Sequence, residues 1–402
     1  MVAPKLRFNG FKEDWKTVKF KSLFSEVNEK TGDTKSFPLY SLTVQDGVTK
    51  KTDRYNREFL VKKDDNYKIV RPDYFVSNPM NMTIGALAQY KGSEDISVSG
   101  YYNVFKNISN YKNQFLEDYL KSSKMIWLYK SIATGSLIEK QRVHFSQFIE
   151  LAVRLPDYEE ANKISDFMEI LTKKIKLQQE KIDLLKEQKK GYMQKIFRKE
   201  LRFKDKNGRD FPNWKVYKLS DFSSRITRKN SNLETKRPLT ISAQYGLIDQ
   251  IEFFNKNVAS GNLEGYYLLQ KGEFAYNKSY SNGFPLGTIK RLDNYEDGAL
   301  STLYICFAPK DNMNSDFLVH YFDSTQWHKA VALICVEGAR NHGLLNVSVS
   351  DFFDTEHELP CKEEQIAVAH FFNRINKKIN LNEERLEKLQ GLKQALMQQM
   401  FI

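Results

Sequence analysis

Cysteine is scarce in this 402-residue sequence, which has only Cys306, Cys335 and Cys361. Three widely spaced thiols exclude a disulfide framework and the paired spacing of a structural zinc site, so reduced thiols in a cytoplasmic protein are expected. Long apolar runs are also missing. Nothing approaches the roughly 18 residues needed to span a bilayer. The opening "MVAPKLRFNG" lacks the apolar core of a secretory signal. No membrane association is expected.

Catalytic signatures are absent as well. The sequence has no G-x-x-x-x-G-K-[ST] phosphate loop, no G-x-G-x-x-G after a strand, no H-E-x-x-H and no G-x-S-x-G. "SNPMN" at Ser77 lacks the second proline and the aromatic residue of an N-P-P-[YF] loop. Of six histidines, only His342 in "EGARNHG" sits in a polar, glycine-flanked setting, which suits a phosphate or solvent contact better than a catalytic base. The expectation is a chain with no active site, no metal and no bound cofactor of its own.

What is present is aromatic and basic. With 21 Tyr and 28 Phe the chain can build real cores, and its length allows at least two domains. The net charge of +12 points to an acidic partner, of which nucleic acid is the commonest. Residues 1–199 hold 36 Lys and Arg against 25 Asp and Glu, whereas residues 200–402 hold 26 against 25. The excess therefore belongs to the first half.

The sequence is written twice. "LRFNGFKEDWKTVKFKSLF" answers to "LRFKDKNGRDFPNWKVYKLSDF", with Trp15 matching Trp214. "YKIVRPDYFVSN" from Tyr67 matches "YYLLQKGEFAYN" from Tyr266, an offset of 199 residues. The offset becomes 202 at "EDISVSGYYNVF" and 204 at "SQFIELAVRLP", where it stays to the end. Constant runs separated by small steps mean two copies of one fold with unequal loops. The division expected is 1–155 and 200–359 as equivalent domains, with 156–199 and 360–402 as equivalent helices.

Each globular copy mixes α and β. Short runs such as "YFVSN", "YYNVF", "EFAYN" and "TLYICF", punctuated by Gly, Asn, Asp and Pro, predict strands; "NQFLEDYLKSS" and "SDFLVHYFDST" predict helices. The long helices follow Pro156 and Pro360, with acidic first turns that suit the helix dipole. Their apolar residues recur at alternating spacings of 4 and 3, from Ile164 to Ile196 and from Val368 to Met400. That is a coiled-coil seam about 60 Å long. Both seams place a polar residue near mid-rod, Gln178 and Asn382, expected to fix register and orientation.

The loops carry the candidate binding residues. "KKTDRYNR" contributes Lys50, Lys51, Arg54, Tyr55, Asn56 and Arg57, and "RITRKNSNLETKR" contributes Arg228 and Lys229. Lys and Arg neutralise phosphates, and Asn and Arg can pair with base edges. The frames of the two copies match while residues 48–66 and 247–265 share almost nothing. One scaffold bearing unlike loops suits two domains reading two different targets. A coiled-coil adaptor with incidental basic loops, or a recognition subunit of another modification enzyme with catalysis on a second chain, stays open at this point.

Two variable domains, each followed by an "LP-x-x-E-[EQ]" helix ending in "MQ-x-[IM]-F", resemble the specificity (S) subunit of type I restriction-modification enzymes, the HsdS family. The resemblance covers essentially the whole chain. It implies two target-recognition domains, each reading half of a split, asymmetric double-stranded DNA site, and two helices packed antiparallel as a spacer. It implies docking of two methyltransferase subunits, which would hold S-adenosylmethionine, and of restriction subunits with translocase and nuclease activity. It also places DNA-facing loops after the "F-x-x-N" strands, at Asn78, Asn81 and Thr83 and at Asn277, Lys278, Ser279, Tyr280 and Asn282. A second set precedes the last strand: Ser136, Lys140 and Arg142, and Arg340, Asn341 and His342.

Overall fold

Strands in this protein are short because Gly, Asn and Pro interrupt many of the apolar runs, and their alternation decides what each face buries. The computed structural model describes residues 4–50, 67–135, 141–254, 262–280, 283–335 and 345–401. Two compact units result, one of residues 1–180 with 383–402, the other of residues 181–382.

In the first unit, β1 (Lys16–Lys19), β2 (Phe24–Val27), β3 (Lys30–Thr31), β4 (Tyr40–Thr43) and β5 (Gly47–Lys50) come first. Then follow β6 (Tyr67–Val70), β7 (Phe75–Ser77), β8 (Leu87–Gln89), β9 (Ile96–Val98) and β10 (Asn103–Asn107). Helices α1 (Asn113–Leu120), α2 (Ser123–Ile132) and α3 (Phe145–Ile149) precede β11 (Ala152–Leu155) and the long α4 (Tyr158–Phe197). The main sheet is antiparallel in the order β2-β10-β7-β8, beside pairs β1-β11 and β4-β5 and the triplet β3-β6-β9.

The second unit repeats this plan. It runs β12 (Lys215–Lys218), α5 (Leu219–Phe222), β13 (Ser223–Arg225), β14 (Leu239–Ser242), β15 (Gly246–Asp249) and α6 (Gln250–Phe254). Next come β16 (Tyr267–Gln270), β17 (Phe274–Asn277), β18 (Thr288–Arg291), β19 (Asp297–Leu300) and β20 (Ile305–Pro309). It ends with α7 (Ser315–Asp323), α8 (His328–Ile334), α9 (Val349–Phe353), β21 (Glu356–Leu359) and α10 (Lys362–Met400). Its main sheet is β13-β20-β17-β18, with pairs β12-β21, β14-β15 and β16-β19.

Each main sheet separates two cores. Successive strand residues point to opposite faces, so Phe75 and Phe105 enter one core of the first unit while Val76 and Val104 enter the other. Phe274 and Phe307 face one core of the second unit, and Ala275 and Cys306 face its partner core. The two Phe pairs stack alike, at 5.5 Å and 5.4 Å between centroids.

The long helices contribute to both units, and in each they run antiparallel. In the first, Ile164 and Met168 of α4 share a core with Met400 of α10, and Lys393 Nζ donates to Thr172 Oγ1 at 2.8 Å. In the second, Phe197 stacks on Phe372 at 6.3 Å and Tyr192 meets Phe371 at 5.2 Å. The sequence-predicted seam is largely covered; Tyr192, 41% exposed, is its outlier. Gln178 and Asn382 are both buried, and Asn382 Nδ2 donates to the Lys378 carbonyl at 2.6 Å within its own helix.

A buried clamp fastens each chain entry to the start of a long helix. Arg7 grips Glu160 through two hydrogen bonds of 2.8 and 2.7 Å, and the Trp15 indole donates to the same carboxylate at 3.1 Å. Arg202, Trp214 and Glu364 repeat it, with hydrogen bonds of 3.1, 2.7 and 3.1 Å.

Candidate nucleic-acid interface

Strand register gathers the polar loops at one edge of each main sheet. Ser77, the last residue of β7, lies opposite Asn103, the first of β10, and opposite Leu87, the first of β8. Val27 closes β2 opposite Val104. The segment after β7, the turn before β10 and the exit of β2 therefore share an edge. In the second unit Tyr276 faces Ile305, Asn277 faces Thr288 and Arg225 faces Phe307, which builds the same edge.

At this edge the two asparagines of the "F-x-x-N" strands do the same work. Asn78 Oδ1 accepts from the Met80 N–H at 3.1 Å, and Asn277 Oδ1 accepts from the Ser279 N–H at 3.0 Å. Both are Asx turns, in which the side chain substitutes for a backbone turn. In the first unit Asn81 is exposed and precedes a 3₁₀ turn over Met82–Ile84, which buries Thr83. Gly85 closes that turn at φ 92°, a left-handed conformation that glycine adopts without strain.

Each loop is tied down from the same side. The Val143 N–H donates to the Pro79 carbonyl at 3.0 Å, next to exposed Arg142, which pairs with Thr134 through backbone bonds of 2.8 and 2.9 Å. The Leu345 N–H donates to the Lys278 carbonyl at 2.9 Å, and Lys278 Nζ donates to the Val347 carbonyl at 3.2 Å. Tyr280 is 59% exposed. Lys278 also lines a small notch with Arg225, Thr302, Leu303 and Tyr304. Burial pushes the Cys306 thiol behind it up to about 12, so the thiol stays protonated at neutral pH.

Other sequence candidates are held within their own unit. Arg228 pairs with Glu273 at 2.8 Å. Lys229 donates to the Gly265 carbonyl at 2.9 Å and stands 4.2 Å over the Tyr267 ring. Lys50 is exposed at the end of β5. Lys51, Arg54, Tyr55, Asn56, Arg57, Ser136, Lys140, Asn282, Arg340, Asn341 and His342 lie outside the described residues. Arg225 is the residue that reading by composition passed over: it belongs to the same basic stretch as Arg228, and only register shows it beside Lys278.

Among the described residues no group of His, Cys, Asp and Glu side chains could hold a metal ion. None of the described helices is long and apolar enough to cross a membrane.

No family model matches the sequence, and no curated protein does either. Solved structures do match in fold. The S subunit of a type I restriction-modification system from M. genitalium has a TM-score of 0.55 at 12% identity, covering 100% of this chain and 99% of that one. A chain from a structure addressing complex assembly and conformational transition of the type I restriction-modification system has a TM-score of 0.55 at 13% identity, covering 96% of this chain and 97% of its own. This chain shares its mixed α/β fold, along its whole length, with a type I restriction-modification S subunit.

Proposed function

We propose that this chain is the DNA sequence-specificity subunit of a type I restriction-modification system, without an active site of its own. The observation that carries the reading is the duplicated sheet edge: two equivalent units, each with its own loops, joined by a long helix pair in a fold shared with a known S subunit. Each unit reads one half of a bipartite, asymmetric double-stranded site. Residues 1–155 and 200–359 are the recognition domains, and residues 156–199 and 360–402 are the spacer helices that set the gap. Gln178 and Asn382 fix the register of that spacer.

Within each domain, Asn78 and Asn277 shape the reading loop. Lys50, Arg142, Lys278 and Arg225, with the basic residues of 51–57, 136–140 and 340–342, supply phosphate and base contacts. The net charge of +12 supports an acidic ligand. The helices scaffold two methyltransferase subunits, which bind S-adenosylmethionine, and restriction subunits join that cytoplasmic complex.

Methylome sequencing of a strain with and without this chain tests the reading. A split methylated motif lost on deletion is expected; an unchanged methylome overturns it. Affinity of the assembled complex for random duplex should also fall steeply between about 50 and 200 mM salt.

A further inference from the structure

The turn that enters the central strand is built alike in both units, and its tip carries one of the most exposed apolar side chains of each. In the first unit the Tyr102 N–H donates to the Ser99 carbonyl at 3.0 Å and the Tyr101 N–H to Ser99 Oγ at 3.4 Å. In the second the Tyr304 N–H donates to the Ser301 carbonyl at 3.2 Å and the Leu303 N–H to Ser301 Oγ at 3.4 Å. The tip residues, Tyr101 and Leu303, are 84% and 70% exposed.

A single exposed apolar residue needs no explanation. Two at the same place, on the same serine-braced turn and at the sheet edge that carries the polar loops, are a repeated feature. Register puts Tyr101 beside the Asn78 turn, since Asn103 pairs with Ser77. Leu303 lines the notch that holds Lys278 and Arg225. An apolar tip beside these polar loops suits a base: a ring or an aliphatic side chain can press on a thymine methyl group or a base edge, which a phosphate cannot reward.

Resting on the specificity-subunit reading above, we propose that Tyr101 and Leu303 are specificity-determining residues, each making apolar contact with base edges in the half-site its own unit reads. The Tyr-to-Leu difference at one fixed turn gives the two half-sites different preferences. Neither residue supports a core, so either can be changed without loss of folding.

The test is methylation of a randomised duplex library by the assembled methyltransferase complex, carrying wild-type chain, Tyr101→Ala, Leu303→Ala or Leu303→Tyr. Tyr101→Ala should relax one or two base pairs of one half-site by about tenfold or more. Leu303→Ala should do so in the other half-site only, and Leu303→Tyr should shift its preference rather than abolish it. Affinity for random duplex and its salt dependence should hold, because no phosphate contact is removed. Unchanged motifs in both alanine variants overturn the proposal, as does equal relaxation of both half-sites by one variant. If wild-type complex selects no split motif at all, the specificity-subunit reading itself fails, a distinct outcome.

Discussion

The two units agree at their buried clamps and part at their exposed sheet edges. Arg7, Trp15 and Glu160 reproduce Arg202, Trp214 and Glu364 to within a few tenths of an ångström. At the sheet edge almost nothing is shared beyond the Asx turns and the serine-braced tips. Pro79, Met80 and Asn81 stand where the second unit has Lys278, Ser279 and Tyr280, and Glu26 stands where it has Arg225. A carboxylate 1% exposed tolerates no change in its partners. An exposed loop residue carries no such constraint, so the edges are free to differ while the frame stays fixed.

Breaking the clamp should have the largest effect. Glu160→Ala leaves the Arg7 guanidinium and the Trp15 indole without their shared acceptor. Removing one partner of a buried ion pair costs about 3–5 kcal/mol. Peptide-resolved hydrogen exchange should show lost protection in residues 4–180, with residues 181–382 retaining theirs. Glu364→Ala should give the mirror image. Protection lost equally in both would break the equivalence drawn between the clamps.

Acid should separate the units next. His357 is buried, and burial lowers its pKa from 6.5 to about 4. The first unit has Val153 at the matching place. A folded pKa below the unfolded one means that the unfolded chain takes up protons first as pH falls. Stability contributed by neutral His357 is therefore complete above about pH 6.5 and is lost towards pH 4, on the order of 3 kcal/mol. His320 is shifted downward too, chiefly by burial. Its counterpart, Asp118, is shifted upward by burial, so its contribution is lost as pH rises instead. Burial also opposes ionisation of Glu117, but Lys121 and Lys91 outweigh it and hold that carboxyl low, so its contribution fades only at lower pH. Exchange protection between about pH 6.5 and 5 should weaken in the second unit alone, and His357→Val should flatten that dependence. Equal acid lability in both units would contradict this assignment.

Much of this frame was legible in the sequence because it is periodic or repeated. Heptad spacing located α4 and α10, and the self-match aligned Trp15 with Trp214. The partners of those tryptophans were not legible: Glu160 lies 145 residues from Trp15, and nothing local marks it as the acceptor. The loops were legible only as composition. That Arg228 is spent on Glu273 while Arg225 lines a notch depends on strand register, which a run of basic residues does not encode. The antiparallel sense of the helices is likewise a property of packing. A heptad repeat serves either direction.

The smallest effect tests the Asx turn that the two edges share. Asn78→Ala and Asn277→Ala each remove a hydrogen bond that holds a loop in its turn, at a cost of about 1 kcal/mol. Neither asparagine belongs to a core, so global unfolding should move little. Exchange of the Met80 amide in one variant and the Ser279 amide in the other should accelerate by about fivefold, since each loses its acceptor. The double variant should show both accelerations unchanged in size, because the turns belong to separate units with no shared partner. Aspartate in place of asparagine keeps the acceptor and should restore protection. If Asn78→Ala loosens its turn and Asn277→Ala does not, then Lys278, anchored at both its carbonyl and its ammonium, holds the second loop without the Asx turn. The two edges would then share a shape reached by different bonds.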